Sequence, residues 1–293
     1  MKAAVAVSSR VQLRNVLFAT DFSGAAAAAL PFAGQIAKSF GAKLFAVHAK
    51  TPENFALQTT EVWPLGNAQL EENTVELKRT LYNRFPGVES EVLIAAGGVW
   101  EVVESVAEEK KADLIVVGTN GRRGIGKFIL GSVAEEILRR AKCPVLTVGP
   151  HSLPDARFRK IVYATNFGEG SPAAAAYAVA FAEEYRAQLT LLHVIEHLKT
   201  GELVCPHELE AGALDRLRNL VAGDAELWCE PKAVVLEGAP ADRILETAEK
   251  ENADLIVMGV REAKGVVRAT HLPAAVAHQV ISQATCPVLT ARA

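Results

Sequence analysis

The chain has 293 residues, half of them hydrophobic and 22% charged, and a net charge of -3 at pH 7. That composition excludes a disordered chain, and 31 basic against 34 acidic residues exclude a globally basic nucleic-acid binder. Four scattered cysteines (Cys143, Cys205, Cys229 and Cys286) form no CxxC pair, which excludes a disulfide framework, a zinc ribbon and a thioredoxin motif.

In chain order, residues 1–14 hold an apolar stretch too short for a signal peptide, and nothing further on approaches ~18 consecutive apolar residues. The expectation is a soluble, cytoplasmic protein with no membrane partner. Residues 16–20 form a short apolar run, read as a strand. Residues 23–40 are Ala-rich with helical period, and 44–49 are apolar again. Residues 68–85 carry Leu70, Leu77 and Leu81 at helical spacing. A strand is expected at 88–95 and an amphipathic helix at 99–111, with Val102, Val103 and Val106 inward. Its acidic end, from Glu108, reads as a solvated helix terminus. A continuous apolar run at 114–118, a helix at 129–141 and a strand at 144–148 complete the set. Continuous apolar strands alternating with helices imply a parallel sheet covered on both faces.

The pattern then repeats. Asn15-Val-Leu-Phe-Ala-Thr-Asp-Phe-Ser23 matches Lys160-Ile-Val-Tyr-Ala-Thr-Asn-Phe-Gly168, and Val47-His48 matches Leu192-His193. Ala112-Asp-Leu-Ile-Val-Val-Gly118 matches Ala253-Asp-Leu-Ile-Val-Met-Gly259, and Cys143-Pro-Val-Leu-Thr147 matches Cys286-Pro-Val-Leu-Thr290. Four blocks in one order mean a tandem duplication. The halves are read as 1–150 and 151–293, joined through Pro150 and Pro154.

The segment after the fourth strand carries the chemistry: Gly118-Thr-Asn-Gly121-Arg-Arg-Gly124-Ile-Gly126-Lys127-Phe-Ile-Leu-Gly131-Ser132. Glycines let backbone N–H groups approach phosphate oxygens, and a following helix adds unpaired donors and a positive dipole end. Arg122, Arg123 and Lys127 add charge, and Ser132 a hydroxyl. A solvated loop is the bland alternative. Residues 121–127 fit GxxxxGK, but Phe128 stands where a P-loop needs a hydroxyl for Mg²⁺, so that motif is rejected.

Gly118-x2-Gly121-x9-Gly131-Ser132 resembles the nucleotide motif of the universal stress proteins. Ala19-Thr-Asp-Phe-Ser23, the Ala112–Gly118 block and Leu130-Gly-Ser-Val-Ala134 resemble the same family's blocks, twice along nearly the whole chain. The resemblance implies two doubly wound α/β domains, each a five-stranded parallel sheet of order 3-2-1-4-5. It implies ATP as ligand, with Mg²⁺ as its counter-ion. By position, Asp21 would meet the ribose, or else cap the helix near Gly24. Ala19 and Ala49 would border the base. Gly118, Gly121, Gly131, Ser132 and Val133 would line the phosphates beside Arg122, Arg123 and Lys127. Asn120 departs from the family's frequent His. His48 reads as a satisfied strand-end histidine, since the second copy keeps His193.

In the second copy Asp21 becomes Asn166, Gly121 becomes Glu262, and Gly131 and Ser132 become Ala274 and Ala275, behind Pro273. A carboxylate where phosphate would lie opposes binding, so this half reads as a structural partner or as a pocket for another ligand. Cys205, His207 and Cys229 match no zinc spacing, and Cys143 and Cys286 read as core. Trp63, in a long segment at 50–66, is a candidate cover for the first site.

The leading expectation is an ATP-binding stress-response regulatory protein with one site in the first half. The alternatives are a slow ATP hydrolase, for which no second acid is found near the loop, and a ligand-free interaction module, which would predict damage in both halves. Single-domain relatives pair through their last strands. The resemblance therefore implies the two halves packed as a pseudo-dimer, with a homodimer of chains as the larger assembly.

Overall fold

The computed structural model describes residues 11–51, 63–119, 130–152, 156–196, 206–221, 231–260 and 275–292. They form two units, one from the described residues between 12 and 156 and one from 157 onward.

In the first unit the strands are β1 (Asn15–Ala19), β2 (Lys43–Lys50), β3 (Ser90–Ala96), β4 (Leu114–Gly118) and β5 (Val145–Val148). The helices between them are α1 (Gly24–Phe40), α2 (Trp63–Arg84), α3 (Val99–Glu109) and α4 (Ser132–Arg140). β1 pairs in parallel with β2 and β4, β2 with β3, and β4 with β5, giving the order 3-2-1-4-5. The four strands β1, β2, β4 and β5 bury their apolar runs: Leu17, Leu44, Leu114 and Leu146 are all fully buried. Such runs suit strands with helices over both faces.

Ala-rich α1 starts where the Ser23 hydroxyl accepts the Ala26 N–H, and it ends at Gly41, whose φ of 64° is the left-handed conformation of a helix stop. Its small residues let neighbours lie close. The Phe85 ring fills the space a side chain at Gly34 would take. α2 begins at Trp63, earlier than the Leu spacing suggested. Pro64 and Gly66 read as loop residues, yet a proline is well tolerated in a helix's first turn. Trp63 therefore opens a helix and is not part of a long connection.

The second unit repeats the plan. Its strands are β6 (Lys160–Thr165), β7 (Gln188–Ile195), β8 (Lys232–Glu237), β9 (Leu255–Val260) and β10 (Val288–Arg292). Its helices are α5 (Ser171–Tyr185), α6 (Pro206–Val221), α7 (Pro240–Glu251) and α8 (Ala275–Gln283). β6 pairs with β7 and β9, β7 with β8, and β9 with β10, all in parallel.

Two duplicated devices hold the amino ends of the strands. Asp113 Oδ2 accepts the backbone N–H groups of Arg14 and Asn15 at 2.8 and 2.9 Å. Asp254 Oδ2 does the same for Arg159 and Lys160 at 2.8 and 3.0 Å. Each carboxylate thereby ties the end of β4 or β9 to the start of β1 or β6, a service the sequence blocks did not announce. The second device is an ion pair of opposite polarity in the two units. In the first, Lys110 beyond α3 meets Glu91 of β3 at 3.5 Å, with its ammonium also over the Phe45 ring. In the second, the matching positions hold Glu251 and Lys232, 2.7 Å apart, and Thr190 stands for Phe45 and donates to Glu251 at 2.6 Å.

Among the described residues no helix is long and apolar enough to cross a membrane, and no group of three or more His, Cys, Asp or Glu side chains could hold a metal ion.

Candidate nucleotide site

Strand order reverses between β1 and β4, and open parallel sheets take ligands beyond the carboxyl ends of such strands. Ala19, the last residue of β1, is in register with Val47 of β2 and Val117 of β4. Ala49 lies two residues beyond Val47, and Gly118 one beyond Val117. Ala19 and Ala49 are both buried. The structure thus brings Ala19, Asp21, Ala49 and Gly118 to one end of the sheet.

The turn after β1 is locked by its own side chains. Thr20 Oγ1 accepts the Phe22 N–H at 3.0 Å, and Asp21 Oδ1 accepts the Ser23 N–H at 2.9 Å. Phe22 sits at φ 60°, unusual for a bulky side chain. Its ring lies 4.7 Å from that of His48, centroid to centroid. His48 Nδ1 donates to the Thr20 carbonyl at 2.9 Å, which fixes the tautomer and makes it the satisfied histidine expected. Asp21 is not the helix cap: Ser23 is, because the turn places the Ser23 hydroxyl, not the carboxylate, at the Ala26 N–H. Asp21 is exposed, and its Oδ2 points to no partner among the described residues.

Gly118 has a steric duty independent of any ligand. A Cβ there would overlap the Ala25 carbonyl, so glycine is what lets α1 approach the end of β4. In the second unit a Cβ on Gly259 would meet the Gly170 carbonyl at 2.7 Å. This explains why this glycine survives duplication when other motif residues do not.

α4 begins at Ser132 behind Gly131, with no side-chain cap. The Gly131 carbonyl accepts from Glu135 at 2.9 Å, so the Ser132, Val133 and Ala134 N–H groups precede the first intrahelical bond. Ser132 and Val133 are exposed. Gly121, Arg122, Arg123 and Lys127, with Asn120, lie outside the described residues.

The second unit keeps the turn without the acid. Asn166 Oδ1 accepts the Gly168 N–H at 2.9 Å, Thr165 Oγ1 accepts the Phe167 N–H at 2.9 Å, and Phe167 has φ 57°. His193 Nδ1 donates to the Thr165 carbonyl at 2.8 Å. An amide therefore serves the turn as well as a carboxylate. Glu262, Pro273 and Ala274 lie outside the described residues, as do Cys205, Cys229 and the side chains of His207, Trp63 and Ala275. Cys286 is buried, as read from the sequence, whereas Cys143 is only half-buried; burial pushes the Cys143 thiol up to about 11 and the Cys286 thiol up to about 12, which disfavours the nucleophilic thiolate at both.

The model of the universal stress protein family matches residues 12–149 and again 157–292. A universal stress protein of Methanocaldococcus jannaschii is 33% identical over 138 residues, 46% of this chain and 81% of that protein. A Staphylococcus aureus relative is 32% identical over 167 residues, 54% of this chain and 97% of its own length. Among solved structures, a universal stress protein from Archaeoglobus fulgidus superposes with a TM-score of 0.76 at 21% identity, covering 96% of this chain and 99% of that one, a likeness of fold.

Proposed function

The chain belongs to the universal stress protein family, and from that premise we propose that it is a regulatory protein whose first half binds one adenine nucleotide, ATP. The observation that carries this reading is that one unit keeps two groups unspent among the described residues: the Asp21 Oδ2 oxygen and the start of α4, which has no side-chain cap. A carboxylate oxygen suits the hydroxyls of a ribose, and free N–H groups at a helix start suit phosphate. The spacing of Gly118, Gly121, Gly131 and Ser132, with Arg122, Arg123 and Lys127 between, supports a polyphosphate arm. Mg²⁺ enters as counter-ion of that arm. The second half, with Asn166 for Asp21 and Glu262 for Gly121, serves this reading as a domain without an ATP site. A cytoplasmic homodimer is part of the same proposal.

Titration calorimetry of the full chain with ATP tests it. The expected stoichiometry is about one nucleotide per chain, because one half retains the donors. Two equivalent sites, or no binding at millimolar ATP, refute the reading.

A further inference from the structure

The second unit lacks the acid of the first and carries a cation placed with care. α6 lays the guanidinium of Arg216 on the Phe167 ring, 3.9 Å from its centroid. The ring is a fixed platform. His193 flanks it at 4.5 Å, and the Phe167 N–H is held by Thr165 Oγ1. A guanidinium stacked on an aromatic face directs its five N–H donors outward in its own plane, as a preorganised fork for a carboxylate or phosphate. Among the described residues those donors have no hydrogen-bond or ion-pair partner. The neighbouring acid, Asp215, is turned to Arg218 at 3.5 Å.

The location is the carboxyl end of β6 and β7, the ligand-binding end of an open parallel sheet. Asn166, next to Phe167, spends Oδ1 on the Gly168 N–H and keeps its Nδ2 donor. The first unit has the Asp21 carboxylate at this position. Exchanging an acid for an amide donor, and adding a planar cation, makes the surroundings of the Phe167 turn more favourable to an anion than those of Phe22; Glu262, which opposes a polyphosphate, belongs in sequence to the segment after β9 and not to this turn. We propose that the second unit holds an anion site of its own, in which the Arg216 fork, stacked on Phe167, binds the carboxylate or phosphate group of a small ligand, with the Asn166 amide as a neighbouring donor. The half without an ATP site thereby acquires a separate ligand.

The test reads Arg216 directly. In ¹⁵N-labelled full-length protein its Nε–Hε resonance is identified by its loss in Arg216→Lys. Inorganic phosphate and acetate are titrated separately at constant ionic strength. A saturable displacement of that resonance is expected, with half-saturation at about 1–20 mM, and the tighter arm tells phosphate from carboxylate. Phe167→Leu removes the stacking face and should weaken the half-saturation about two- to fivefold. No saturable displacement with either anion overturns the proposal, as does an unchanged half-saturation in Phe167→Leu. The resonance belongs to the second unit, so the outcome is independent of nucleotide binding by the first.

Discussion

Asp21→Asn separates two duties of one side chain. Oδ1 holds the Ser23 N–H at 2.9 Å, and Asn166 shows an amide oxygen doing the same for Gly168 at 2.9 Å. The variant should therefore keep the turn, the Phe22 conformation and the Ser23 cap, and its melting curve should match the parent's. What it loses is the charge and the acceptor at Oδ2, now an amide donor. A hydrogen bond to a charged group contributes about 1.5–3 kcal/mol, and the exposure of Asp21 puts the expected loss nearer about 1–2 kcal/mol. That weakens ATP about 5- to 30-fold. Asp21→Ala should lose as much affinity and, in addition, about 0.5–1.5 kcal/mol of stability, because the Ser23 N–H loses its acceptor. Calorimetry with ATP and thermal denaturation by circular dichroism read the two effects separately. An Asp21→Asn protein that binds ATP within about twofold of the parent, or melts like Asp21→Ala, would show that the carboxylate serves the turn alone.

Gly118→Ala should destabilise the first unit by about 1–3 kcal/mol, since its Cβ overlaps the Ala25 carbonyl and α1 must shift; an unchanged melt would disprove the close approach. Asp113→Ala strips the acceptor from the Arg14 and Asn15 N–H groups and should cost about 1–3 kcal/mol in denaturant titration. At Glu251, burial pushes the carboxyl up, but hydrogen bonds from Lys232 and Thr190 outweigh it and hold the pKa below 4.5. A lowered pKa stabilises above the ordinary value and loses that stabilisation as the pH falls through the folded value. Glu251→Gln should therefore cost up to about 1 kcal/mol at neutral pH, and the difference from the parent should shrink below pH 4.5, as urea melts at the two pH values would register.

The order of strands and helices was legible because runs such as Leu114–Gly118 are apolar without a break, and amphipathic segments such as Val99–Glu109 keep Val102, Val103 and Val106 on one face. The candidate site was read as a set of residue types at family spacing, of which the structure gathers Ala19, Asp21, Ala49 and Gly118 at one end of the sheet. Which oxygen caps α1 was not legible, because Asp21 and Ser23 both precede it and the choice depends on Phe22 taking a positive φ, which no propensity favours for an aromatic. Gly118 was read as lining the phosphates, and its steric duty depends on Ala25, brought to it only by the packing of α1 on β4. Asp113 sits beside a strand in sequence, but its partners lie about a hundred residues away, beyond local pattern.

The inverted ion pairs bear on how a duplicated chain avoids assembling wrongly. Two similar domains joined in one chain can exchange equivalent strands while folding, and tandem repeats are prone to this error. Were β3 to settle in the place of β8, Glu91 would face Glu251. Were β8 to settle in the place of β3, Lys232 would face Lys110. Each exchange loses an attraction and gains a repulsion of at most about 1 kcal/mol, and both fall on the hybrid alone. The reversal leaves each correct domain as well paired as the other, while every exchanged one carries like charges in contact. Polarity at one position thus acts as an address, telling each outer strand which copy of the fold is its own.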